Sequence, residues 1–398
     1  MLLQLAIGCV LSCLLAAVGF LCWLDRRRKV DFRQHGDVTF VVPCYNAEST
    51  IEAVIASIFE VAGTHADVVV LDDASEDDSR GLLSQLSRRF PLQVYSNQSN
   101  HGKSATLNNA IRYVRHGLVC FVDADVIVNE SAFGDALSRI SDPRVGAVSC
   151  PYEPLNKGCL ARMQAIEYNM LAVLQGSYNL FSAISLWGGF TLVRRDAFIS
   201  VGGFSVDAIT EDMDLAMKLN ERGWKVEQSF ERVRTFVPVS LSSWFRQKLR
   251  WQAGAIQAFL QHYRICLRNP IHIAFIATFG ALVTLSVASL VHTLIVLQNI
   301  VDFFGLIGAT LSLLASLKAA GLVYGTQVVE DTLWMTGFTL FSLPWVLPMI
   351  RRPGQLWLAW LVIPFSILYI PGSILVSACA AISLLYRKAR YQAGVRAW

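Results

Sequence analysis

The sequence predicts an α/β domain built on a mostly parallel sheet, held between helical membrane segments. Three observations carry that expectation. Apolar runs alternate with helical patterns between residues 38 and 122, the order that gives parallel strands joined by helices. Hydrophobic residues make up 54% of the 398-residue chain and charged residues only 16%, against roughly 25% charged in soluble domains. The charge also clusters in the middle of the chain, with long apolar stretches at either side.

Residues 1–24 are apolar apart from Gln4 and Ser12, and Asp25-Arg26-Arg27-Arg28-Lys29 follows at once. A cleaved signal would carry its positive charge ahead of the apolar run. The cluster behind it predicts an uncleaved spanning helix with the basic end in the cytoplasm. Residues 30–268 then read as a cytoplasmic domain, since they hold most of the charge and nearly all the turn signals. The region 271–386 is apolar again, enough for about four spans, or three with a re-entrant segment near 334–350. A multi-pass protein of the cell membrane is the expectation. Mean hydropathy is +0.44, and the net charge of +4 is too small to argue for nucleic acid. Nine cysteines without C-x-x-C spacing predict free thiols in a reducing compartment. The histidines form no H-E-x-x-H.

Within the domain, Val38–Pro43 reads as a buried strand, with Asn46 capping a helix from Ala47 to about Val61. Val68–Leu71 is a second strand ending in Asp72-Asp73. A charged helix near 76–89, a strand at 92–95, a helix at 104–114 and a strand at 118–122 follow. Ligands of such sheets lie beyond the carboxyl ends of the strands. Asn46, Glu48, Asp72, Asp73, Asp123 and Asp125 stand in those places. In Asp123-Ala124-Asp125, residues two apart in an extended chain share a face, which suits a hard divalent cation that also holds a diphosphate. Lys103 opens a helix and could offer a cation to a phosphate. An exposed lysine at a helix start explains it as well. Amphipathic helices are expected near 158–182 and 240–264, the second rich in arginine and suited to lipid headgroups.

The ordered set Asp72-Asp73, Asp123-Ala124-Asp125, Thr210-Glu211-Asp212 and Gln247-Lys248-Leu249-Arg250-Trp251 resembles the D, D-x-D, T-E-D and Q-x-x-R-W series of processive membrane glycosyltransferases of family 2. That group includes cellulose, chitin, hyaluronan and poly-N-acetylglucosamine synthases. The resemblance covers roughly residues 38–268 and implies a Rossmann-like GT-A fold, a UDP-sugar donor and Mg2+ or Mn2+. It places Pro43, Asn46 and Glu48 in the nucleotide pocket, Asp72 at the uracil or ribose, and Lys103 nearby. Asp123 would contact the donor, and Asp125 with Asp123 would bind the metal. Asp212 would be the general base beside Glu211. Gln247, Arg250 and Trp251 would form the pyrophosphate and acceptor site, with Gly189 in the acceptor-side segment Trp187-Gly188-Gly189-Phe190. Many relatives have a small pair such as Ser-Gly there, so Trp187 leaves the shape of the acceptor pocket open.

The partners so implied are a growing polysaccharide, the lipid bilayer and, in some members, an accessory membrane or export subunit. The segment Ala208–Asp214 most resembles poly-N-acetylglucosamine synthases, which points to UDP-N-acetylglucosamine. Two alternatives stand beside this. One is an enzyme adding a single sugar to a lipid, against which Q-x-x-R-W argues. The other is a transporter with a degenerate nucleotide domain, against which the intact aspartates argue.

Overall fold

The computed structural model describes residues 38–63, 66–179, 181–183, 185–268 and 369–392, together with residues 25, 273, 298, 361 and 365. The chain divides into two compact units, Met1–Gly8 with Ala274–Cys379, and Cys9–Ile273 with Ala380–Trp398. Almost all described residues belong to the second unit.

Its centre is a seven-stranded sheet in the order β3-β2-β1-β4-β8-β6-β9. The strands are β1 (Val38–Cys44), β2 (Asp67–Asp72), β3 (Leu92–Ser96), β4 (Leu118–Val122), β6 (Val145–Ser149), β8 (Phe190–Arg194) and β9 (Lys225–Gln228). Only β8 runs against its neighbours, β4 and β6. β1 and β4 are buried on both faces, as parallel strands covered by helices must be. A second sheet, in the order β5-β10-β7, joins β5 (Val126–Ile127), β7 (Tyr152–Pro154) and β10 (Val233–Thr235).

The helices are α1 (Ile51–Ala62), α2 (Ser79–Arg89), α3 (Lys103–Ala110), α4 (Glu130–Ile140), α5 (Cys159–Gly176), α6 (Arg195–Ser200), α7 (Glu211–Glu221), α8 (Leu241–Gln261), α9 (Tyr263–Arg268) and α10 (Ile370–Gln392). Two buried apolar clusters lie on the faces of the sheet. Phe40, Ile51, Ile55, Val122 and Phe190 belong to one, and Val41, Val69, Phe121, Phe198 and Leu215 to the other.

The first helix differs from the sequence expectation. Asn46 does not cap it. Its backbone takes φ 50°, and helical structure starts only at Ile51 after Thr50. The Asn46 side chain instead accepts the Glu76 amide at 2.8 Å, while Asn46 N donates to Ser75 at 3.0 Å. A partner distant in sequence has taken the group that local pattern assigns to a cap.

The sequence-predicted spans at 1–24 and across most of 271–386 lie outside the described residues. Among the described residues no helix is long and apolar enough to cross a membrane. Among the described cysteines, Cys44, Cys120, Cys150, Cys159, Cys266 and Cys379 are free.

Candidate active site

The strand ends of β1, β2 and β4 open into one polar region, and two loops are stitched together at its edge. Glu48 N donates to Asp77 at 3.1 Å and Glu48 Oε2 accepts Asp78 N at 3.0 Å. Asn46 and Glu48 are exposed there, and Pro43 is half-buried at the end of β1. Asp72 and Asp73 divide between two tasks. Asp72 is fully buried, takes Arg80 Nε at 2.6 Å and accepts the Ser75 amide at 3.2 Å. Asp73 accepts the amides of His101 and Gly102 at 3.0 and 2.8 Å and the Asn97 side chain at 2.7 Å. Burial opposes its charge, but these donors outweigh it and hold its pKa below the usual range. Asp73 thereby fixes the loop that presents Lys103.

Gly102 adopts φ 82°, which L side chains rarely reach, and α3 starts at the next residue. Lys103 Nζ then sits between two carboxylates, 2.7 Å from Asp123 and 2.8 Å from Glu211. Loss of hydration opposes its charge, yet the two partners hold its pKa well above the ordinary value. One side chain thus joins the end of β4 to the start of α7.

The Asp123-Ala124-Asp125 triplet is a turn, not the extended chain that the sequence suggests. Val126 N returns to Asp123 O at 3.1 Å, and Asp123 N bonds Gly189 O at 3.0 Å. The turn still keeps the carboxylates within electrostatic reach. Asp125 reaches the surface, but the protein around it strips its hydration. With Asp123 adding repulsion, its pKa rises to about 6. Two crowded hard-oxygen donors of this kind suit a divalent cation, whose charge would relieve the repulsion. Asp123 is already engaged by Lys103, which leaves Asp125 the freer ligand. Among the described residues no group of three or more His, Cys, Asp or Glu side chains could hold a metal ion.

Glu211 and Asp212 occupy the first turn of α7. Glu211 is buried, which opposes its charge, but Lys103 wins and lowers its pKa. Among the described residues Asp212 has no such salt bridge. Burial and the neighbouring Glu211 charge raise its pKa to about 7, against smaller opposing effects of Lys103, the Met213 amide and Arg250. A carboxylate tuned to neutrality is what proton transfer near pH 7 needs. Gly188 makes room for it, since a Cβ at that position would come within 2.6 Å of Asp212 Oδ2. At Gly189 a Cβ would meet the Tyr152 hydroxyl and Val126, each at 2.8 Å.

Gln247, Arg250 and Trp251 share one face of α8 at helical spacing. Arg250 acts electrostatically on Asp123, Glu211 and Asp212 alike. Gln247 Oε1 is buried without a hydrogen-bond partner among the described residues. A buried acceptor left open in a polar cleft marks a place for a ligand donor. The same helix carries determinants that sequence reasoning missed. A Cβ on Gly254 would run into Thr210, so glycine there lets α8 lie against the T-E-D segment. Gln257 accepts Ile209 N at 2.9 Å and donates to Asp207 O at 3.2 Å. His262, just past α8, contacts Asp214 at 3.1 Å and Glu221 at 2.9 Å.

Lys248 is buried, 2.5 Å from Glu167 and 4.2 Å from the Trp251 ring centre. Desolvation lowers its pKa despite Glu167. Trp187 is buried, with Nε1 donating to Gln228 at 2.7 Å. Neither had a signal beyond its place inside a motif. Lys103, Asp123, Asp125, Glu211, Asp212, Gly189 and Arg250 are thus brought together by contact or mutual charge. Asp72 lies apart from that cluster, beneath Arg80.

A mainly parallel sheet with an acidic turn after β4 defines a GT-A-like α/β fold. Residues 39–202 match the family described as glycosyl transferase family 2. It is 26% identical over 267 residues to a poly-beta-1,6-N-acetyl-D-glucosamine synthase of Staphylococcus aureus, covering 66% of this chain and 65% of that protein. The chain thus matches slightly less than two thirds of that relative's length. The corresponding synthase of Staphylococcus epidermidis is 23% identical over 284 residues, covering 69% of each. Among solved structures, a mannosyltransferase of Pyrobaculum calidifontis in complex with GDP-Man and Mn2+ is similar in fold. Its TM-score is 0.57 at 19% identity, over 95% of this chain and 98% of that one.

Proposed function

We propose that this glycosyltransferase transfers a sugar, with inversion, from a UDP-sugar to a growing β-linked polysaccharide, and that N-acetylglucosamine is the sugar. The observation that carries the reading is Asp212, raised to about 7, packed close to Gly188 and within electrostatic reach of Lys103 and Glu211, while Lys103 also joins Asp123. An acceptor hydroxyl beside Asp212 loses its proton to that carboxylate as its oxygen attacks the anomeric carbon. The bond to the diphosphate breaks on the opposite side, so the anomeric centre inverts. UDP leaves with added negative charge, which Arg250, already acting electrostatically on Asp123, Glu211 and Asp212, would offset. Asp125 and Asp123 would hold Mg2+ or Mn2+, which when bound supplies further positive charge at the diphosphate. Trp251 offers a ring face to the acceptor sugar, and Lys248 with Glu167 holds that ring from beneath.

Processive elongation with passage through the same protein completes the reading, with spans at 1–24 and within 271–386 and the catalytic domain in the cytoplasm. Its support is the apolar sequence of those segments and the surface of α8 and α9. Leu241, Phe245, Leu260, Tyr263 and Leu267 are exposed there among Arg246, Arg264 and Arg268, a mixture suited to lipid headgroups. Purified protein in detergent, incubated with individual UDP-sugars, should release most UDP from UDP-N-acetylglucosamine and form products many sugars long. Products extended by one sugar only would replace this reading with the single-addition enzyme.

A further inference from the structure

Tyr152 lies beside the reacting groups, yet no motif contains it. It opens β7, pairing with Val233 of β10. Its ring packs edge-on against Trp187 and Tyr168, with centroids 4.9 and 5.9 Å away. Its hydroxyl oxygen accepts Gly189 N–H at 2.5 Å. The same glycine's carbonyl accepts Asp123 N at 3.0 Å, and Asp212 stands over the adjoining Gly188. The phenol oxygen is thus linked through the single residue Gly189 to the backbone of the donor-side aspartate.

Accepting from Gly189 leaves the phenol proton to be given elsewhere, and among the described residues no acceptor takes it. Burial, with Asp123 and Asp212 adding repulsion, pushes the Tyr152 pKa well above its ordinary value, so the proton stays in place at working pH. A neutral donor also suits a sugar oxygen, which carries no full charge. We propose that Tyr152 is a further substrate-binding residue, donating its phenol hydrogen bond to an oxygen of the donor sugar. This rests on the functional reading above and adds to it a sugar-side contact distinct from the nucleotide pocket.

Tyr152→Phe keeps the ring packing and removes only the hydroxyl. The affinities of parent and variant for UDP-N-acetylglucosamine and for UDP, measured without acceptor, test the assignment. A neutral hydrogen bond corresponds to about three- to tenfold in affinity. The variant should lose that much for the UDP-sugar while its affinity for UDP is unchanged. Equal losses for both ligands, or a fall in kcat with both affinities intact, would mean that the hydroxyl only supports Gly189 and would overturn the proposal. Unchanged affinities and turnover would overturn it as well. A parent that binds UDP but no UDP-sugar would instead fail the functional reading, and this inference with it.

Discussion

Asp212 is where burial and chemistry meet most directly. It stands in the first turn of α7, where a carboxylate is favoured by the helix dipole whatever its function. Its pKa nevertheless rises to about 7, because lost hydration and the adjacent Glu211 outweigh Lys103 and Arg250. The base must be ionised to accept a proton, so turnover should climb with pH through about 7 and level off above it. Asp212→Asn keeps the shape but not the basicity. General-base loss costs roughly 10²–10⁴-fold, so transfer should fall by that order while UDP affinity and thermal midpoint stay near the parent's. Near-parental turnover in this variant would move the base elsewhere, with Glu211 the first candidate.

At the scale of elements, α7 and α8 behave as a pair. Gly254 permits their approach, Gln257 ties down the chain before α7, and His262 clamps its far end to Asp214 and Glu221. Asp214 also accepts from Ser205 at 2.6 Å and has Lys218 3.7 Å away, so the clamp sits in a mixed charge environment. The bond to Asp214 raises the His262 pKa, with burial opposing and Glu221 assisting. A raised pKa for a cation means that the protonated form is favoured by folding. The clamp's contribution is therefore complete below the unfolded histidine value, roughly 6.5, and is lost as pH rises through the higher folded value. Thermal midpoints recorded across that window should fall with pH in the parent. His262→Gln should flatten that part of the profile, and an unchanged slope would assign the dependence to another group.

The proposed function asks the whole molecule to do chemistry on one side of a bilayer. Two tests belong at this scale. Excess chelator should abolish UDP release if Asp125 and Asp123 share a metal with the diphosphate, and restored Mg2+ or Mn2+ should recover it. Undiminished release would remove the metal from the mechanism. For orientation, Ser84 is an exposed position on α2. A cysteine placed there should escape a membrane-impermeant thiol reagent applied outside intact cells and react after permeabilisation. Added labelling from outside would invert the proposed topology.

The strands β1 to β4 were legible in the sequence because they are short continuous apolar runs, such as Val68–Leu71 and Leu118–Val122, punctuated by aspartates, whereas β6, β8 and β9 were not read from it. Lys103, Asp123, Asp125, Glu211 and Asp212 drew notice because they stand at the ends of elements or within the motif series of the resemblance. Local pattern placed Asn46 as a helix cap and Asp123–Asp125 as extended chain, and the fold decided otherwise. Glu76 supplied the partner that turned Asn46 away, and the Val126 amide closed the turn. Tyr152, Gly254 and Gln257 carried no readable signal, and Lys248 none beyond its place inside a motif. Their importance comes from contacts with residues far along the chain: Gly189, Thr210, Ile209 and Glu167. Periodicity and spacing report which face of an element is buried. Only the packed chain decides which distant polar group meets it there, and that meeting sets the pKa of Asp212 and the space around it.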